Sequence, residues 1–250
     1  MSRLLIGALL ACAALTAGCS SSTSGSAVGA DTTTTSRTST ITATTATPTS
    51  ETTSAPTGVK TCAYRKKGTA APGKDVGLPP ETTEDNQTRV AFKTSQGDIA
   101  VALGTAKAPC TTRSFAFLAA QRFYDATPCH RLTTKGIEVL QCGDPTGTGT
   151  GGPGYAIPDE NPTDLPQGSG AGSVVYPRGT VAMANAGPGT GGSQFFLVYG
   201  DSTLSPDYAV IGTLDEASLA VVDKVAQGGS DPDGDGKPKT PIDIQSAEAT

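Results

Sequence analysis

The sequence predicts a mainly β domain with two helices, preceded by a long polar stretch that does not fold. Three observations carry that expectation. From Val90 onward, short runs of β-branched, aliphatic and aromatic residues alternate with clusters rich in Gly and Pro, which marks strands joined by tight turns. Apolar residues recur at helical spacing in only two windows, Thr111 to Arg122 and Ala217 to Ala226. The chain is 36% hydrophobic, below the roughly 45–50% of a globular protein. That deficit sits in residues 20–58, and the remainder has the composition of one ordinary domain.

The chain opens with one positive charge, Arg3, and an apolar run from Leu4 to Ala17. The run is shorter than the ~20 residues a membrane-spanning helix needs, and it fits the core of a signal peptide. It ends in Leu15-Thr16-Ala17-Gly18-Cys19, similar to a bacterial lipoprotein cleavage box. Cleavage there leaves Cys19 as a lipidated N-terminus, and several acyl chains anchor firmly because each buried CH₂ contributes ~0.8 kcal/mol. Ordinary signal cleavage nearby is the plainer alternative. The expected organisation is a signal peptide over 1–18 and a disordered Ser/Thr-rich tether over 19–58. An extended segment over 59–87 then packs on a folded domain over 88–250. The tether follows from composition: Ser, Thr and Ala bury too little apolar surface to offset backbone ordering.

Within the domain, Val90–Thr94 and Asp98–Leu103 read as strands around the Ser95-Gln96-Gly97 turn. Phe115, Leu118, Ala119 and Phe123 place the first helix over 111–122. Strands follow at Cys129–Thr133 and Ile137–Cys142, and 143–179 reads as loop. The chain then centres on Arg178 to Tyr199, where two strand runs, Thr180–Ala184 and Ser193–Tyr199, flank the Gly/Pro-rich Asn185–Gly192. That loop excludes helix and is expected to leave backbone groups uncommitted for an extended peptide. Phe195 and Phe196 must face opposite ways on a strand, one into a core and one onto a surface beside Gln194. Tyr208–Leu214 is the next strand. Leu219, Val222 and Val225 mark one face of the second helix, and a last strand lies near Ile242–Ile244.

Net charge is −5 with a single basic triplet, Arg65-Lys66-Lys67. A nucleic-acid partner is not expected, since phosphate binding needs clustered Lys and Arg. Setting aside Cys12 in the signal and Cys19 leaves Cys62, Cys110, Cys129 and Cys142. An even count in an exported protein predicts two disulfides, with three connectivities open. No metal is expected, because no cysteines are closely paired and His130 is the only histidine. Asp231-Pro232-Asp233-Gly234-Asp235-Gly236 resembles the start of a calcium loop, but the twelfth position holds Ile242 rather than Glu, so it reads as a charged turn.

Three blocks carry a family resemblance. Met183-Ala184-Asn185-Ala186-Gly187-Pro188-Gly189-Thr190-Gly191-Gly192-Ser193-Gln194-Phe195-Phe196 is very close to the signature of the cyclophilin-type peptidyl-prolyl isomerases. Cys129-His130-Arg131-Leu132 with Val139 to Asp144 resembles that family's His-Arg strand and the Gln-x-Gly-Asp strand after it. Gly147 to Tyr155, with Asp159-Glu160, is similar to its bacterial branch. The blocks come in family order from about Arg89 to the C-terminus. The resemblance implies a closed eight-stranded antiparallel barrel capped by two helices, and an enzyme that rotates X-Pro bonds without a cofactor.

That rotation crosses a barrier of ~18–20 kcal/mol because it breaks amide resonance. A catalyst needs a dry slot for the prolyl ring, a clamp on the flanking backbone, and a donor aimed at the imide nitrogen as its lone pair localises. By resemblance Arg131 is the catalytic donor, with His130 and Gln141 beside it. Gln141 and Gln194 match the polar clamp, and Asn185, with Ala184 and Ala186, matches the substrate-holding loop. Phe196 matches the pocket floor, Leu204 its wall, and Tyr208 stands where the family has a second histidine. A Cys129–His130 nucleophilic dyad is not expected, since neighbours on a strand point apart. The family's pocket Phe falls near Glu138 or Val139, neither aromatic, and a rim Trp is replaced near Thr203. A shallower pocket with weaker cyclosporin binding is therefore expected. The partners implied are proline-containing polypeptides and, through Cys19, the extracytoplasmic face of the cell membrane, for a monomer. The rival reading is a proline-binding chaperone or scaffold with little turnover.

Overall fold

Two runs of alternating burial show how the sequence makes its strands. In Arg89–Thr94 (β2), Val90, Phe92 and Thr94 are buried while Arg89 and Lys93 face water. In Gly97–Leu103 (β3), Ile99 and Val101 are buried, and the two strands pair antiparallel from Arg89↔Ala102 to Thr94↔Gly97. The computed structural model describes residues 60–82 and 87–250. The signal peptide, the tether and Cys19 lie outside the described residues.

The remaining elements are Arg65–Lys66 (β1), Pro109–Ala120 (α1), Thr127–Pro128 (β4), Arg131–Thr133 (β5), Glu138–Cys142 (β6), Tyr155–Ala156 (β7) and Val174–Tyr176 (β8). Thr180–Met183 (β9), Phe195–Gly200 (β10), Ser202–Leu204 (β11), Val210–Leu214 (β12) and Glu216–Gln227 (α2) follow. Ser230–Asp231 (β13), Asp235–Pro238 (β14) and Asp243–Ala249 (β15) complete the chain. The fold is mainly β with two helices. One antiparallel sheet of eleven strands runs β13-β14-β5-β6-β10-β9-β12-β3-β2-β15-β4, beside the two-stranded pairs β1-β7 and β8-β11. The strand count exceeds the expected eight because several strands are two to four residues long, too short to show as periodicity. The charged turn at Asp231 contains β13 and the start of β14.

The stretch 127–133 touches both flanks of this sheet. Its start pairs with β15 through Thr127↔Ile244, and its end pairs with β6 through Arg131↔Gln141. Between them, Cys129 N–H donates to the Ile242 carbonyl and His130 N–H to the Gln141 carbonyl, both at 3.0 Å.

Each helix packs one face on the sheet. Pro109 opens α1, where a missing N–H costs nothing, and Phe115, Leu118 and Ala119 are buried. Ala108 gives the helix no side-chain cap. Glu160 supplies one from a distance, accepting from Cys110 N (3.2 Å), Thr111 N (2.8 Å) and Thr111 Oγ1 (2.9 Å). Asp215 caps α2 by accepting from Ser218 N, and Leu219, Val222 and Val225 are buried, as their spacing predicts.

Two hydrophobic clusters divide the sheet's faces. The larger holds Phe92, Phe115, Tyr124 and Phe195, whose rings lie 5.1–5.9 Å apart. Burial of each such side chain contributes about 1.5–3 kcal/mol. The smaller holds Val139, Val174, Tyr176, Ala182, Phe196 and Val198 on the other face. Phe195 and Phe196 therefore part as strand geometry requires. Disulfides join Cys62 to Cys110 and Cys129 to Cys142, which resolves the connectivity that spacing left open.

Candidate active site

Register alone assembles the site. Arg131 on β5 pairs with Gln141 on β6, Gln141 with Phe196 on β10, and Phe196 with Ala182 on β9. Residues directly opposite across a sheet share a face, so arginine, glutamine and phenylalanine form one row on the side of the smaller cluster.

Arg131 stands at the end of that row. Asp235, on β14, accepts from its Nε (2.7 Å) and Nη2 (2.7 Å), a forked pair that fixes the plane of the guanidinium. Its third nitrogen, Nη1, is left to donate to Gln141 Oε1 at 3.3 Å. The hydrogen bonds to Asp235 also raise the guanidinium's pKa, so the charge is permanent. Gln141 passes the contact on, its Nε2 donating to Gln194 Oε1 at 2.9 Å. Gln194 Nε2 donates to the carbonyls of Gly149 (2.9 Å) and Gly151 (3.0 Å), pinning the glycine-rich loop beside it.

Asp144 holds that loop from beneath. Its buried carboxylate accepts from Thr146 N and Oγ1, Thr148 N and Gly149 N at 2.6–3.1 Å. Burial pushes its pKa up, but the hydrogen bonds from Thr146, Gly149 and Gly151 outweigh that and hold it below the usual carboxylate range. Gly143 has φ +86°, and a Cβ there would sit 2.3 Å from the Ser193 carbonyl, so only glycine allows β6 to turn so close to Ser193.

The floor beside Arg131 is aromatic. Phe196 is 5% exposed and meets Tyr208 at 5.5 Å and Tyr176 at 6.2 Å. Tyr176 is the residue that sequence reasoning missed. It is fully buried, donates to the Tyr208 carbonyl (3.0 Å) and accepts from Tyr208 N (3.1 Å). Burial raises its pKa to about 12, so it stays a neutral phenol. Leu204, on β11, packs against the same cluster. Of the two residues near which the family's aromatic is expected, Glu138 is exposed and Val139 is buried in the cluster of Phe196, and Thr203 stands exposed where a rim Trp is expected.

The Asn185–Gly192 loop commits part of its backbone and leaves part open. Ala184 N donates to the Gln194 carbonyl, Ala186 N to Thr190 Oγ1, Gly187 N to Asn185 Oδ1 and Gly189 N to the Asp159 carboxylate. The loop's own Asn and Thr, with Asp159, satisfy the N–H groups of Ala186, Gly187 and Gly189, which have no ladder partner. Asn185 Nδ2 donates to the Asp207 carbonyl. Neither main-chain group of Asn185 has a partner among the described residues, so its peptide unit is one part of the loop that remains open to a ligand.

His130 sits next to Arg131 but does different work. Its ring lies 3.9 Å from the position a Cβ on Gly149 would occupy, and both ring nitrogens are buried with no partner among the described residues. Burial lowers its pKa below the ordinary histidine value, Asp144 opposing and Arg131 adding to that shift. The imidazole is neutral at pH 7 and supports the glycine loop. Cys129 is disulfide-bonded and supplies no thiolate.

The family described as "Cyclophilin type peptidyl-prolyl cis-trans isomerase/CLD" matches residues 89–249. The probable peptidyl-prolyl cis-trans isomerase B of Mycobacterium tuberculosis H37Rv is 50% identical over 169 residues, covering 66% of this chain and 55% of that protein. The chain thus spans little more than half the length of that relative. A Helicobacter pylori peptidyl-prolyl cis-trans isomerase is 38% identical over 156 residues, covering 59% of this chain and 88% of that one. Among solved structures, a Cryptosporidium parvum cyclophilin-type isomerase in the presence of the dipeptide Ala-Pro aligns with TM-score 0.54 and 30% identity. That match covers 65% of this chain and 98% of the other. With the family match spanning well over half its length, the chain belongs to the cyclophilin-type peptidyl-prolyl cis-trans isomerase family.

Proposed function

We propose that the chain is a peptidyl-prolyl cis-trans isomerase acting on exported polypeptides, with Arg131 as the group that stabilises the twisted imide. The observation that carries the reading is the row Arg131–Gln141–Phe196 on one sheet face, with two of the three guanidinium nitrogens held by Asp235. The prolyl ring rests on Phe196 between Leu204 and Tyr208. Asn185 holds the flanking backbone through its peptide unit, with Ala184 and Ala186 shaping the loop. As the imide twists, its nitrogen pyramidalises and gains a lone pair, and the Nη1 edge of Arg131 donates to it while Gln141 keeps the guanidinium in register. That contact is absent from the planar ground states, so it lowers the barrier rather than only tightening binding. No proton moves, which suits a neutral His130.

In this reading the sheet closes on itself as the family's eight-stranded barrel, the stretch 127–133 joining its two flanks. The protein works as a monomer, tethered through a lipidated Cys19 on the extracytoplasmic face of the membrane. With neither Glu138 nor Val139 aromatic and Thr203 near the place of the rim Trp, it binds cyclosporin weakly.

A protease-coupled proline-peptide assay on wild type and Arg131→Ala tests the mechanism. Loss of about 10²-fold or more in kcat, the usual cost of removing one such donor, with peptide binding retained, supports it. A negligible wild-type rate with retained binding would leave a proline-binding module instead. Mass spectrometry of the N-terminal peptide decides the anchor, which an unmodified Cys19 would rule out.

A further inference from the structure

The segment before the family domain builds part of the groove. Its β1 pairs with β7 through Arg65↔Ala156 and Lys66↔Tyr155, and Lys67 N donates to the Gly154 carbonyl at 2.9 Å. Ala71 N donates to the Gly152 carbonyl at 2.9 Å, and the Cys62–Cys110 disulfide ties the start of the segment to α1. Further along, Lys74 Nζ donates to the carbonyls of Phe123 and Asp125, both at 2.8 Å. The segment is a strap fixed at both ends.

Between strap and domain lies a cavity of about 570 Å³, lined on one side by Lys67, Gly68 and Thr69 and on the other by Gln141, Gln194 and Ala186. The two glutamines that border the row with Arg131 therefore also wall this second pocket. Its base is glycine from 149 to 154 apart from Thr150 and Pro153, so few side chains fill it. Among the described residues, Lys67 is the only charged one lining it. Lys67 and Arg65 both reach toward Gly189. Lys67 Nζ donates to the Gly189 carbonyl at 2.9 Å, and Arg65 Nη2 lies 3.9 Å from where a Cβ on Gly189 would stand. The nearby carboxylates are engaged: Asp159 accepts from Gly189 N, and Asp144 is buried under the glycine loop. The pocket thus presents one partly committed cation and a polar wall to a side chain entering from the groove.

We infer that Lys67, which the strap brings to this pocket from outside the family domain, gives it a preference for a carboxylate-bearing side chain of the substrate, near the proline in sequence. The inference rests on the isomerase reading for the direction in which the polypeptide lies, not for the chemistry of the pocket. An exposed ion pair is a modest effect, about threefold to fivefold at low salt, and it fades as ionic strength rises.

The test uses proline peptides carrying Glu, Gln or Lys at each of the three positions before and two positions after the proline. At one position, wild type turns over the Glu peptide severalfold faster, in kcat/KM, than the Lys peptide at low salt. Lys67→Gln removes that preference and Lys67→Glu inverts it. A disturbance of the loop at Gly189 would slow all peptides alike and would not invert their order. No Glu preference at any position, or a preference that survives in Lys67→Glu, overturns the inference. If no peptide is turned over at all, the isomerase reading fails separately. Fluorescence anisotropy with the same peptides then reads the subsite, and inversion of binding order in Lys67→Glu still supports it while an unchanged order still overturns it.

Discussion

Replacing Asp235 by Ala removes both bonds that fix the plane of the Arg131 guanidinium, each 2.7 Å long, and leaves only the 3.3 Å contact from Nη1 to Gln141. Two consequences compete. The freed arginine must be ordered again in each transition state, and immobilising one such side chain costs about 0.5–1.5 kcal/mol. Against that, a carboxylate no longer draws the positive field away from the imide nitrogen. A full unit charge is worth only ~1 kcal/mol at 4 Å in water, and the imide nitrogen carries a fraction of one. Ordering wins, so kcat falls about two- to tenfold with KM little changed, and Asp235→Asn, which keeps one acceptor, lies between.

Stability separates this from unfolding. The side chains of the pair are 41% and 56% exposed, and such pairs contribute about 0–1 kcal/mol, so the Tm barely moves. Hydrogen bonding from Arg131 holds the Asp235 carboxyl below its usual range despite some opposing burial. Its contribution is thus fully present above an unfolded pKa of about 3.9 and is lost only as pH falls through the lower folded value. The ratio of wild-type to variant kcat is therefore constant from pH 6 to 8. The assay is initial-rate isomerisation of a proline peptide, with calorimetry on the same samples. A kcat that is unchanged or higher in Asp235→Ala would refute the positioning argument.

Three further outcomes follow from the same geometry. Removing the Cys129–Cys142 bridge as the double Ser variant costs about 3 kcal/mol in chemical denaturation, as expected for closing a loop of this length, and it lowers kcat below the new Tm because the bridge ties the residues leading into β5 to the end of β6, next to the Arg131–Gln141 pair. The pH–rate profile is flat from pH 7 to 8, since the lowered pKa keeps His130 neutral there; its lowered folded pKa makes stability rise with pH through the interval below about 6.5, and a bell-shaped rate profile centred near that value would contradict a supporting role for the imidazole. Asp144→Ala strips the acceptor from Thr146, Thr148 and Gly149, and amide exchange at those three positions speeds up while the β2 and β3 amides stay protected. In wild type the depressed Asp144 pKa places the same loop opening below about pH 4.

What was legible in the sequence was what repeats locally. Parity along Ser193–Tyr199 sends Phe195 to the main core and Phe196 to the site face, and the spacing of Leu219, Val222 and Val225 gives α2 its buried stripe. Both follow from the chain's own period, which no distant partner alters. The groups that complete the site lack such a period. Asp235 stands 104 positions from Arg131, in a Gly/Asp-rich stretch that reads as a turn because turns favour those residues. Tyr176 lies at the end of a three-residue strand inside a loop-rich stretch, and only β11 across from it makes it a strand at all.

The strap shows the same limit from the other side. Nothing in Arg65-Lys66-Lys67 separates a solvated basic triplet from the wall of a groove, because the difference is made by two strand residues, Tyr155 and Ala156, some ninety positions later. The Cys62–Cys110 link was likewise one of three options until α1 and the strap were seen side by side. Strand parity could say which residues face one way; only the order of strands across the sheet could say which of them meet. The catalytic proposal depends on that second kind of information, since Arg131, Gln141 and Phe196 come from three strands whose adjacency, β5 to β6 to β10, skips three intervening strands in the chain.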